Sequence, residues 1–119
     1  MDNTNKKGSL KEQVIVIDLE KGKMLQEGKL SESWLAQFGA MTKIVLGRIF
    51  GLNKTPITIK GKKTDVDAFV SVLGGEKRYI EALHKYGLED PQALKAKGTL
   101  QSAIRSFESE TGIKYPFSI

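Results

Sequence analysis

A chain of 119 residues without cysteine is sized for one domain and excludes disulfides, thiolate metal sites and a cysteine nucleophile. Its 39% hydrophobic and 28% charged residues are those of an ordinary globular chain, and no apolar run approaches the roughly 18 residues of a membrane helix. The net charge of +5 comes chiefly from Lys54, Lys60, Lys62 and Lys63, one short segment with no acid; nucleic-acid domains usually spread such charge along a face.

Residues 1–10 are polar and without periodicity, which predicts a flexible leader ahead of a single domain over 11–119. No signal-type apolar core follows, so the leader is expected to stay on the chain, and the lack of cysteine suits a reducing cytoplasm. Val14-Ile15-Val16-Ile17-Asp18-Leu19 reads as a strand buried on both faces. Glu20-Lys21-Gly22-Lys23 then looks like a turn, after which Met24 to Glu27 returns as a second strand or opens a loop.

Ser31 or Ser33 is placed to cap a helix that runs from about 33 to 50 and stops at Gly51. Trp34, Phe38, Met41, Val45 and Ile49 form one stripe, and Leu35, Leu46 and Phe50 widen it. A helix at the edge of a small domain normally keeps half its surface polar. So apolar a helix needs cover on nearly all sides, from its own core or from a partner.

Thr55 to Gly61 alternates as a short strand with Ile57 and Ile59 on one face. Thr64 has the look of an N-cap, with Asp65 and Asp67 in the favourable first turn. Gly74-Gly75 is expected to break or bend the helix that follows, since two glycines cost about 2 kcal/mol against alanine. The next helix, Glu76 to Tyr86, turns Tyr79, Ile80 and Leu83 inward and closes at Gly87. Asp90-Pro91 opens the last helix, which Gly98-Thr99 is expected to split and Gly112 to end. Ile113, Tyr115 and Phe117 can then pack back from the tail.

Chemistry is sparse in this pattern. His84 is the only histidine, and Glu81 three residues earlier makes an ordinary helical pair rather than a triad. Asp65, Asp67 and Glu76 fit no calcium loop, and Gly47, Gly74 and Gly75 have neither dinucleotide nor P-loop spacing. No catalytic residue, cofactor or metal site is expected. Lys60, Lys62 and Lys63, with Lys77 and Arg78, have two readings: solvated turns, or a grip on nucleic-acid phosphates.

The C-terminal half resembles a small module of uncharacterised proteins from tailed bacteriophages. The resemblance lies within 57–117, in Gly74-Gly75-Glu76-Lys77-Arg78-Tyr79, in Lys85-Tyr86-Gly87-Leu88-Glu89-Asp90-Pro91, and in Phe107 through Phe117. It implies a virion-associated head, neck or decoration protein, formed in the host cytoplasm and carried into the particle. No catalytic motif comes with it.

The expected fold is therefore α+β: two or three short strands, one apolar helix, and a helical half over about 64–111. The expected role is non-enzymatic assembly with neighbouring phage subunits or with itself. Trp34, Leu35, Phe38, Met41, Val45, Ile49 and Phe50 are the partner-binding candidates. The alternative is a nucleic-acid accessory protein acting through Lys54, Lys60, Lys62 and Lys63.

Overall fold

Strand β1 (Ile15–Asp18) leads directly into helix α1 (Leu19–Glu27) because Asp18 caps it. The Asp18 carboxylate accepts a bond from the Lys21 backbone N–H at 3.1 Å, satisfying one of the free donors of the first turn. The computed structural model describes residues 14–27 and 32–117; the leader over 1–10 and the cap expected of Ser31 lie outside them. Helix α2 (Glu32–Ile49), strand β2 (Ile57–Lys60), helix α3 (Lys63–Tyr86) and helix α4 (Pro91–Thr111) complete the α+β fold.

The two strands pair in parallel, Ile15 opposite Ile57 and Ile17 opposite Ile59. A parallel pair needs a crossover, which α1 and α2 supply. The expected turn at Glu20–Lys23 and the return strand after it are therefore both replaced by helix. Gly22 is also not a turn residue. It lets α1 approach α2, since a Cβ there would stand 2.5 Å from Trp34 Cη2 and 2.9 Å from Ile113 Cδ1.

Burial of β1 on both faces does not hold either. Helices cover one side of the sheet only, so Ile17 is fully buried while Val14 and Val16 are 50% and 44% exposed. The alternation of Ile57 and Ile59 on one face of β2 is as expected.

Aromatic rings make the core. Phe38 of α2 lies 5.1 Å from Trp34, 5.6 Å from Phe69 and 6.3 Å from Phe107, centroid to centroid. Phe69 and Phe107 meet at 5.5 Å, which ties α3 and α4 to α2. Beyond Gly112, whose left-handed φ of 74° ends α4, the tail folds back. Ile113 is fully buried, and Tyr115 packs edge-on against Phe107.

The C-terminal half has fewer breaks than its glycines suggest. Helix α3 runs unbroken through Gly74 and Gly75. A Cβ on Gly75 would come within 3.2 Å of Leu100 Cδ1 and 3.4 Å of its Cα. The helices pack at that point, and the packing outweighs the poor helix propensity. Helix α4 likewise continues through Gly98, and the Thr99 hydroxyl bonds back to the Lys95 carbonyl at 3.2 Å instead of capping a new helix. The cap position of α3 is Lys62, without a side-chain bond, so Thr64 is already inside the helix. Asp90 caps α4 as expected, accepting from Gln92 N–H at 2.8 Å with Pro91 in the first turn.

Candidate functional site

The seven apolar candidates on α2 divide by depth. Trp34, Phe38 and Val45 are buried in the chain's own core. Leu35, Met41 and Ile49 are partly buried against that core, and Phe50 is half-buried at the helix end. This helix spends most of its apolar stripe on the rings of α3 and α4.

The four lysines also separate. All are exposed, but Lys54 precedes β2 and Lys60 ends it, so extended chain of roughly 20 Å lies between them. Lys60, Lys62 and Lys63 follow closely along the chain, from the end of β2 to the first residue of α3. There the Lys63 ammonium donates to the Asp67 carboxylate at 2.9 Å, and this bond holds its pKa above the ordinary value.

Asp65, Asp67 and Glu76, grouped by sequence as acids, go to three separate environments. Asp65 is fully buried and accepts from Lys23 of α1 at 3.0 Å, a bond that raises the lysine pKa. Asp67 is exposed with Lys63. Glu76 is buried and accepts from the Tyr115 hydroxyl at 2.7 Å. His84 is exposed in the last turn of α3. Among the described residues no group of three or more His, Cys, Asp or Glu is placed to hold a metal ion. None of the described helices is long and apolar enough to cross a membrane.

The Glu76–Tyr115 bond locks the tail onto α3. Burial, then the bond to Glu76, raises the phenol pKa above its usual value. Stability tied to that proton is therefore complete below pH about 10, the unfolded value, and is lost as pH rises through the higher folded one. Tyr115→Phe is expected to remove that alkaline loss. At neutral pH it should destabilise the fold by about 1–3 kcal/mol, because the Glu76 carboxyl stays buried without its donor. Urea melts of both proteins at neutral and alkaline pH measure the two effects; identical melts at neutral pH would show that the bond contributes nothing.

The more informative region is the far half of the α3–α4 hairpin. From Lys77 to Thr99 the only buried residue is Ala93, whereas the near half supplies Phe69, Val72, Leu73, Leu100 and Phe107 to the core. The far half is an arm that covers little beyond its own seam. Its tip carries Tyr86, Leu88 and Leu94, exposed by 45%, 66% and 54%. Leu88 sits in the turn, outside any periodic stripe, and Leu94, which the sequence groups with the apolar series Leu100, Ala103, Ile104 and Phe107, is turned outward one turn into α4. The available signal was an apolar residue between Gly87 and the Glu89-Asp90-Pro91 helix start.

An open cleft of about 440 Å³ runs along one face of this arm. Helix α3 lines it with Arg78, Glu81, Ala82, Lys85 and Tyr86, and α4 with Gln92, Lys95, Ala96 and Thr99. Glu81, the one acid, accepts from Lys77 at 2.8 Å. Lys85 rests over the Tyr86 ring at 5.3 Å, a cation–π contact. A second hollow continues the cleft toward the body, sharing Arg78 and Thr99 and adding Ala68, Ser71, Ser102 and Ser106.

Comparison with protein-family models, with curated proteins and with solved structures finds no match for this chain.

Proposed function

We propose that this chain is a non-enzymatic assembly protein that binds neighbouring protein subunits through its α3–α4 arm, as a component of a tailed-phage particle. The observation that carries the reading is the tip: Tyr86, Leu88 and Leu94 are exposed on an arm with one buried residue between Lys77 and Thr99. Large apolar side chains left exposed at the end of such an arm favour an interface, where aromatic and aliphatic anchors contribute most of the binding energy. The phage assignment is supported by the sequence resemblance. Its residues fall at the α3–α4 packing point, the hairpin turn and the returning tail.

The test is hydroxyl-radical footprinting of the chain inside purified particles and of the chain alone. The expected result is that the chain sediments with particles and that Tyr86, Leu88 and Leu94 are labelled much less there. A chain absent from particles, or a tip labelled equally in both states, would overturn the reading. Charge reversal of Lys60, Lys62 and Lys63 is expected to leave incorporation unchanged; its loss would favour the nucleic-acid alternative.

A further inference from the structure

Three cations face the arm cleft without an acid of their own. Among the described residues, the side chains of Arg78 and Lys95 have no hydrogen-bond or ion-pair partner, and the Lys85 ammonium meets only the Tyr86 ring. Arg78 is held back along α3 over Gly74, where a Cβ would stand 3.8 Å from its Nη1. This posture places its guanidinium where the two hollows join. The one carboxylate that lines the cleft, Glu81, is already engaged by Lys77. Glu89 and Asp90 lie at the tip, and Asp90 is committed to the Gln92 N–H.

The shape between these cations is that of a groove between two antiparallel helices. Its floor is small: Ala82, Ala96 and Thr99 near the tip, then Ala68, Ser71 and Ser102 toward the body. From Ala68 to Tyr86 it follows α3 for about 27 Å, the length of a helix of about 18 residues. A third helix seats its ridge in such a groove. Phosphate recognition has no use for a long small-residue floor beside an apolar tip.

We infer that the groove receives an amphipathic helix of a neighbouring protein, carrying an Ala/Leu ridge flanked by glutamates or aspartates that meet Arg78, Lys85 and Lys95. This rests on the assembly reading and names the chemistry of its partner. The chain's own segment 1–13 has the wrong sign for the role, with three lysines against two acids.

The probe is a fluorescent helical peptide of about 18 residues with an Ala/Leu ridge and glutamate flanks, titrated with the full chain by anisotropy. Binding is expected to weaken as salt rises from about 0.05 to 0.5 M. The double variant Arg78→Glu/Lys95→Glu should weaken it by roughly tenfold or more. Both residues are exposed, and an unchanged circular dichroism spectrum confirms the fold. Lys60→Glu/Lys62→Glu, away from the groove, should leave binding intact. Equal affinity of the double variant, equal affinity for a peptide with lysine in place of glutamate, or displacement by a DNA duplex of about 20 base pairs would each overturn the inference. Peptide failure beside a protected tip in particles would overturn the acidic-helix partner alone. An unprotected tip overturns the assembly reading, whatever the peptide does.

Discussion

Phe38→Ala is expected to lower unfolding stability by about 3–5 kcal/mol, the range for truncating a buried phenylalanine. Phe38 is fully buried and touches the rings of Trp34, Phe69 and Phe107, which belong to three different helices. Its loss opens a cavity that none of the three can fill without moving its own helix, so the cost should fall toward the upper part of the range. A domain of this size has only about 5–15 kcal/mol to lose. Thermal and urea unfolding of the variant would measure it. A cost under about 1 kcal/mol would mean that the ring cluster relaxes freely and is not the organising core.

Gly22 and Gly98 offer a contrast in sign. Helix propensity alone says that replacing either glycine should stabilise its helix by about 1 kcal/mol. At Gly98 nothing stands within 4 Å of a new Cβ, so Gly98→Ala should deliver that gain. At Gly22 the new atom would meet the Trp34 ring at 2.5 Å, and Trp34 is itself buried against Phe38. Overpacking of this kind costs about 1–3 kcal/mol for modest additions. Gly22→Val, with two further methyl groups, should reach about 3 kcal/mol or more despite any propensity gain. Chemical denaturation of the two variants side by side tests both; stabilisation by Gly22→Val would show that α1 does not rest on Trp34.

Much of the C-terminal half was legible because its signals are local. Asp90-Pro91, Gly87 and Gly112 act within a turn of their own position. Long-range contacts account for what was not legible. Gly22 reads as a turn residue until Trp34 is known to lie against it, and Gly75 reads as a break until Leu100 is placed beside it. The parallel pairing of β1 with β2 depends on the crossover, which no dipeptide announces. The arm escaped notice for a related reason. Periodicity reports which residues share a face, and says nothing of where the covering body stops.

The parallel sheet joins segments some forty positions apart, while α3 and α4 are neighbours joined by a short turn. Closing the larger loop costs more chain entropy, and only two strands share the reward. Assembly of the molecule should thus begin at its C-terminal hairpin and finish at the β seam. The same order in reverse makes that seam the first place to open under load, with the arm still standing.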